Sequence, residues 1–335
     1  MTDIARRALT LVSEDNSEKN RQPSIRPNSL DEYVGQEQMV ESLRIAVKAA
    51  KMRDAALPHV LMGGPPGLGK TSMAYVLAVE MGSELIITSG PNLNKPEDVT
   101  AKLRALDERD ILLIDEIHRM KPKSAETLYS ALEDGVVETS SRLRHSTSQV
   151  ELAPFTMIGC TTHCGDLEAP LRDRMPLQFT LSHYDQAEIQ QVLQRSASIR
   201  EVAIEDAALT VLAQASRGTP RVANSLLFQC RDYALVVGNG TVTAGMAQAC
   251  LDSMGIDSLG LNSADRHYLE VLLHDYSGGP AGVQAISSSL GERVNNLEEN
   301  IEPYLLRAGL LIRDRAGRVA TELAENHLTD LGLLD

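Results

Sequence analysis

Between Gly64 and Thr71 the chain reads GPPGLGKT, glycines and a lysine at the spacing G-x-x-x-x-G-K-[ST]. Residue types in that order suit a chain of phosphates. Gly64, Gly67 and Gly69 let backbone N–H groups turn inward around phosphate oxygens, and a helix starting here adds the positive end of its dipole. Lys70 is expected to reach the β- and γ-phosphates and Thr71 to hold Mg²⁺ through its hydroxyl, with Ser72 beside it at the helix start. Further along, ILLIDEIHR ends an apolar run in Asp115 and Glu116. Asp115 would support the Mg²⁺ shell, and Glu116 would orient a water for attack on the γ-phosphate. A Glu kept beside the Asp points to hydrolysis of ATP rather than to nucleotide binding alone.

Such residues need a sheet and helices to hold them. Short apolar runs, HVLMG (59–63), ELIIT (84–88), DILLID (110–115) and FTMIGC (155–160), alternate with helical stretches. That alternation predicts an α/β domain with a parallel sheet covered on both faces. Beyond residue 182 the strands stop. DQAEIQQVLQRSASI, EDAALTVLAQAS and PRVANSLLFQCRDYALVV read as amphipathic helices of a small all-α domain. In the last segment SADRHYLEVLLHDYSGG predicts a helix with Ser263 as its N-cap. AGVQAISSSLG and ERVNNLEENIEPYLLRAG then make a helix-turn-helix pattern, and LLIRDRAGRVAT a hairpin, the order of a winged helix. The expected organisation is a mobile tail at 1–24, a P-loop domain at 25–182, an all-α domain at 183–256 and a winged helix at 257–335.

The 335 residues carry a net charge of -14, with 3% aromatics and no Trp. Rows of aromatic platforms for single-stranded bases are therefore not expected, and any nucleic-acid contact must come from a local basic patch. The C-terminal hairpin supplies one, since Arg307, Arg313, Arg315 and Arg318 surround a single acid, Asp314. The helix before it carries Glu298, Glu299 and Glu302, which repel phosphate, so the wing rather than the helix is expected to meet DNA. Contacts of that type hold backbone without reading sequence. A charged start unlike a signal peptide and the absence of a long apolar run predict a cytoplasmic protein with no membrane span. Four scattered cysteines make no disulfide framework. Cys160, His163 and Cys164 lack a fourth metal ligand nearby and read as core thiols beside a loop histidine.

The motifs IRPNSLDEYVGQEQ, GGPPGLGKTS, TSGPNLNKPED, LIDEIHRM, PFTMIGCTTHCG, PLRDRM, SRGTPRVAN and GRVAT resemble, in order, those of the RuvB family, the bacterial AAA+ motors of Holliday-junction branch migration. The resemblance runs from residue 25 to the end. It implies an AAA+ P-loop domain, a helical lid domain and a C-terminal winged helix, assembled as a homo-hexamer with ATP at each subunit interface. It also implies Thr162 as the sensor-1 residue that reads the γ-phosphate, Arg174 as an arginine finger reaching the neighbouring subunit's ATP, and Arg221 as the sensor-2 residue. Ile25, Arg26 and Tyr184 would line the nucleotide pocket. Arg313 and Arg318 fall where the family's wing carries arginines that contact duplex DNA, with four-way junctions as the substrate.

Three stretches depart from the family pattern. VVETSSRLRHSTSQVELAPF puts Ser, Thr and Arg at the tip of a hairpin where the family carries an apolar, Gly-containing tip that docks on RuvA. A polar tip lacks the buried anchors that such interfaces use, so docking of a RuvA-like loading partner stays open. His163 stands where the family has Arg, and Met175-Pro follows the finger in place of Phe-Gly. The sequence leaves two assignments: a motor on junction DNA, or a diverged regulatory or protein-remodelling AAA+ ATPase whose wing binds a protein.

Overall fold

The computed structural model describes residues 23–141 and 146–334. The expected tail (up to residue 22) and the hairpin tip (142–145) lie outside the described residues. The chain forms two compact units, one running to Glu201 with Gly218–Asn224 added, the other made of Val202–Arg217 and the residues from Ser225 onward.

In the first unit the elements run α1 (Glu37–Met52), β1 (Val60–Gly63), α2 (Lys70–Met81), β2 (Leu85–Ser89), α3 (Pro96–Leu103), β3 (Ile111–Asp115) and α4 (Pro122–Glu133). A hairpin of β4 (Val136–Ser141) and β5 (Ser146–Glu151) follows, then β6 (Thr156–Thr161), α5 (Ala169–Asp173), β7 (Leu177–Thr180) and α6 (Gln186–Ile199). The five-stranded sheet has the order β2-β3-β6-β1-β7 and is parallel throughout. All of β1 and β6, and β3 up to its last residue, are buried, which is why these segments read as unbroken apolar runs. The edge strand β7 (LQFT) is only half-buried and has no such run, so the apolar pattern does not announce it.

Helix α2 buries Met73 to Ala78 without a break, because it lies between the sheet and its neighbours rather than on the surface. The core gathers Leu61, Leu112, Ile114 and Met157 from the sheet with Leu128 and Leu171 from the helices beside it and Met175 from the segment between α5 and β7. Met175, one of the three departures, is fully buried in that core. It lies against Gly159, so this departure changes packing rather than chemistry. Helix α6 opens with a reciprocal cap: Glu188 N–H donates to Asp185 at 2.8 Å, and Asp185 N–H donates to Glu188 at 2.8 Å.

The second unit contains α7 (Asp206–Ala215), all but the start of α8 (Pro220–Val237) and α9 (Ala244–Ser253). It continues with α10 (Ser263–His274), α11 (Val283–Leu290), the short α12 (Val294–Asn296), a π-helical turn (Leu297–Ile301) and α13 (Glu302–Arg307). Strands β8 (Leu311–Arg313) and β9 (Arg318–Ala320) form the wing, and α14 (Glu322–Asp330) closes the unit. Tyr268, Leu269, Leu272, Ile286, Leu297 and Leu305 make the core of its C-terminal part, from α10 onward. The cap of α10 is Asn262, not Ser263. The Asn262 side chain accepts from Ala264 N–H at 2.8 Å and Asp265 N–H at 3.0 Å, and Asn outranks Ser little enough that one residue of offset hides in the sequence. Among the described residues, no helix is long and apolar enough to cross a membrane.

Candidate functional site

Strand β6 lies between β3 and β1, with Gly63 level with Thr161 and Ile114 level with Gly159. The segments leaving the carboxyl ends of these three strands therefore emerge together, where open α/β sheets place their ligands. A cavity of about 560 Å³ opens there, lined by Gly67, Gly69, Lys70, Thr71 and Ser72 from the loop after β1 and the start of α2. Asp115 and Glu116 enter from the end of β3, and Thr162 from the end of β6. Ile25, Arg26, Tyr184 and Arg221 complete the expected set. Gly64 does not line the cavity; its carbonyl instead receives the Lys70 ammonium.

Lys70 is buried and turned onto its own loop, donating to the carbonyls of Gly64 at 2.6 Å and Pro65 at 2.9 Å. Burial pushes its ammonium pKa down, although Cys160 and Asp115 oppose that shift. The loop's shape is fixed by two tyrosines. Tyr33 Oη donates to the Gly69 carbonyl at 3.4 Å, and Tyr184 Oη to the Leu68 carbonyl at 3.2 Å. Gly69 has φ 104, and a Cβ there would stand 2.5 Å from Tyr33 Oη. Burial raises the Tyr33 phenol well above its ordinary value, which keeps it a neutral donor. Arg221 N–H donates to the Gly67 carbonyl at 3.3 Å, bringing the start of α8 to the same loop.

Glu116 sits at φ 48, where the chain leaves β3 for a short 3-10 turn (Ile117–Arg119). Its carboxylate accepts from Arg119 Nη1 at 2.7 Å, and its N–H donates to Asp115 at 3.0 Å. Gly90, the glycine of the TSGP motif, passes so close that a Cβ would collide with the Glu116 carbonyl. The motif thus has a local physical use, the close approach of one backbone to another at the acidic pair.

Several lining residues carry no sequence signal of their own. Tyr33 stands in a stretch with no catalytic motif of its own, and Asn224 lies in an ordinary helical pattern. Arg195, on α6, reads as a charge on a solvated helix face. In the fold it donates to the Ile25 carbonyl at 2.6 Å and the Arg26 carbonyl at 3.3 Å, and pairs with Glu32 at 2.6 Å, so it holds the segment that walls the cavity. That long-range pairing makes it detectable only in three dimensions.

Arg174 does not line this cavity. It pairs with Glu133, donates to the Pro170 carbonyl at 2.7 Å and stacks over the Tyr129 ring at 5.2 Å. Cys160 is buried, which pushes its thiol up to about 12, and Cys164 packs into the space left by the absent side chain of Gly63. Among the described residues no group of three or more His, Cys, Asp or Glu could hold a metal ion.

The wing corrects one expectation. Its arginines are not balanced by Asp314 alone, and Glu302 is not a surface acid that would repel DNA. Glu302 is wholly buried and accepts from Tyr268 Oη at 2.9 Å, Arg313 Nε at 2.9 Å and Arg318 Nε at 3.1 Å. Arg318 also pairs with Glu298 at 2.6 Å and keeps only 14% of its side chain exposed. Arg307 donates to the Arg217 carbonyl at 3.0 Å, away from the hairpin. Arg315, by contrast, is exposed and has no hydrogen bond or ion pair among the described residues. A helix carries its acids round to the interior face as readily as to the outer one, and sequence spacing alone did not say which face Glu302 occupied.

The cavity suits a nucleoside triphosphate with its cation. Its floor is a helix N-terminus, its ammonium is held by carbonyl oxygens that phosphate oxygens can replace, and a hydroxyl (Thr71) and a carboxylate (Asp115) flank it.

Three family descriptions match almost the whole chain: the Holliday junction DNA helicase RuvB P-loop domain over residues 25–181, the RuvB AAA lid domain over 184–257 and the RuvB C-terminal winged helix domain over 258–329. The chain is 44% identical over 320 residues to the Holliday junction branch migration complex subunit RuvB of Kosmotoga olearia, covering 95% of this chain and 94% of that one. It is 46% identical over 313 residues to the RuvB of Rubrobacter xylanophilus, covering 93% and 88%. Among solved structures it is similar to the Thermotoga maritima RuvB Holliday junction branch migration motor, with a TM-score of 0.80 and 42% identity over 91% of this chain and 98% of that chain. A P-loop sheet domain, an AAA lid and a winged helix are thus joined in one polypeptide, and the chain belongs to the RuvB family.

Proposed function

We propose that this protein is an ATP-hydrolysing motor that translocates duplex DNA and drives branch migration at four-way junctions. The observation that carries the reading is the convergence of Lys70, Thr71, Asp115, Glu116, Thr162 and Arg221 on one cavity from three adjacent strands and the start of α8. Bound ATP with Mg²⁺ supplies the γ-phosphoryl group and the cation that draws charge from its oxygens. Lys70 neutralises phosphate charge, while Thr71 and Asp115 hold the cation. Glu116 orients the attacking water, and Thr162 and Arg221 bind phosphate oxygens. Ile25, Arg26, Gly67, Gly69, Ser72 and Tyr184 shape the pocket.

Arg174 lies off the cavity of its own subunit, so we assign it to a neighbour's nucleotide in a homo-hexameric ring. A guanidinium fork supplied in trans makes hydrolysis depend on assembly. DNA is held by the wing. Arg318 is covered and tied to Glu298 and Glu302, whereas Arg313 keeps 44% of its side chain exposed beside its pair with Glu302. Arg315 is exposed with no ion pair among the described residues, so Arg313 and Arg315 carry the exposed contact. Arg315→Ala is expected to weaken duplex affinity uniformly across sequences and to lower the slope of log affinity against log salt by about 1. Fluorescence anisotropy of labelled duplex over a salt series measures this; an unchanged slope removes Arg315 from the interface.

The function is tested by steady-state ATP turnover with four-way junction, linear duplex or no DNA, each with and without a RuvA. Stimulation by DNA supports the motor, and a further response to RuvA would show that the polar hairpin still docks that partner. A rate indifferent to every DNA would transfer the reading to a protein-directed AAA+ ATPase.

A further inference from the structure

Thr162, at the cavity wall, has its hydroxyl 2.8 Å from Nδ1 of the next residue, His163. The His163 N–H donates to Thr161 Oγ1 at 3.0 Å, and that hydroxyl lies 2.9 Å from His118 Nδ1. The two imidazole rings stand 5.1 Å apart. Each of the two threonines at the end of β6 is therefore tied to an imidazole. One imidazole comes from the same loop, and the other from the turn after β3 that also carries Glu116.

A hydroxyl has one proton to give. In the neutral His163 tautomer that carries its proton on Nε2, Nδ1 accepts it, and Thr162 turns a lone pair toward the cavity, which repels a phosphate oxygen. In the imidazolium both ring nitrogens are donors, so Nδ1 donates to Thr162 Oγ1 and the threonine proton is free to point into the cavity. We propose that His163 is a positioning residue for ATP hydrolysis, whose protonation converts Thr162 from an acceptor into a donor at the phosphate end of the cavity. The inference rests on the reading that this cavity hydrolyses ATP.

The surroundings let one imidazole of the pair respond. His163 is exposed to solvent. Facing it across the ring contact is His118, whose own turn carries Glu116 and Arg119; Asp166 and Cys164 lie on its own segment. Burial, then the adjacent charge of His163, holds His118 below the ordinary imidazole value, with Glu116 and Asp166 opposing.

The test is ATP turnover by the full chain over a range of about pH 5.5 to 8.5, which brackets imidazole titration. The variants are His163→Arg, a donor at every pH, His163→Gln, an uncharged donor, and His118→Asn. Because ATP itself titrates in this range, the quantity compared is the ratio of wild type to variant. Wild-type kcat is expected to fall about tenfold relative to His163→Arg as pH rises, the difference between a charge-assisted and an ordinary hydrogen bond, with KM nearly constant. His163→Gln should show the same flat profile as His163→Arg, and His118→Asn should keep the wild-type step. Parallel profiles for wild type and both His163 variants would overturn the proposal, as would a step abolished by His118→Asn alone. Lys70→Ala is the control for the site itself: undiminished turnover there would sink the assignment of the cavity and not the role of His163.

Discussion

Glu116→Gln is expected to lower ATP turnover by about 10²- to 10⁴-fold, the usual contribution of a positioned acid–base group. Nucleotide affinity should stay within a few-fold of wild type, because the carboxylate is not part of the phosphate cradle. The exchange is isosteric, and the amide oxygen can still accept from Arg119, which now bonds the carboxylate at 2.7 Å. The backbone at φ 48 is held by contacts that do not involve the side chain, among them the close passage of Gly90. Folding is therefore unaffected, and what is lost is the negative charge that draws a proton from the attacking water. Single-turnover hydrolysis and equilibrium binding of ATP separate the two effects. Retained turnover would remove Glu116 from the reaction; lost binding would make it part of the cradle.

Glu302→Ala is expected to destabilise the winged helix by about 3–5 kcal/mol, the range for breaking a buried ion pair by removing one partner. The carboxylate is wholly buried and bonded by Arg313, Arg318 and Tyr268 together. Removing it leaves two guanidinium groups and a phenol without their shared acceptor. Arg318, with 14% of its side chain exposed, has the least water to turn to. Denaturant unfolding of the winged helix within the full chain measures the loss, and a change under about 1 kcal/mol would mean that the arginines find other partners. Burial by itself would raise the Glu302 pKa, but the hydrogen bonds from Arg318, Arg313 and Tyr268 outweigh it and hold the group below the ordinary value of 4.5. A depressed carboxyl pKa contributes stability above the unfolded value that is lost as pH falls through the folded one. Acid unfolding of the wild-type winged helix should thus set in below about pH 4.5, and the Glu302→Ala protein should lack that component.

The lysine, hydroxyl and carboxylates that line the candidate cavity were legible in the sequence, because their pattern is local. A glycine-rich turn followed by Lys and Thr, and an apolar strand ending in Asp-Glu, each carry their geometry in a few consecutive positions. The buried strands announced themselves for the same reason, as β1, β3 and β6 lie in the middle of a covered sheet and carry polar side chains only at their ends, Asp115 on β3 and Thr156 and Thr161 on β6. The edge strand β7 did not, since its alternate residues face water.

What only the tertiary structure decided concerns pairings across long stretches of chain. Arg195 became a wall-builder by reaching Ile25, Arg26 and Glu32. Glu302 moved from a repulsive surface acid to the buried anchor of two wing arginines, which left Arg315 as the wing arginine with no ion pair among the described residues. His163 acquired a partner in Thr162 and a neighbour in His118. Sequence specifies a charge or an imidazole, but whether that group is solvated, paired or aimed at a ligand depends on what the fold sets within about 3 Å of it.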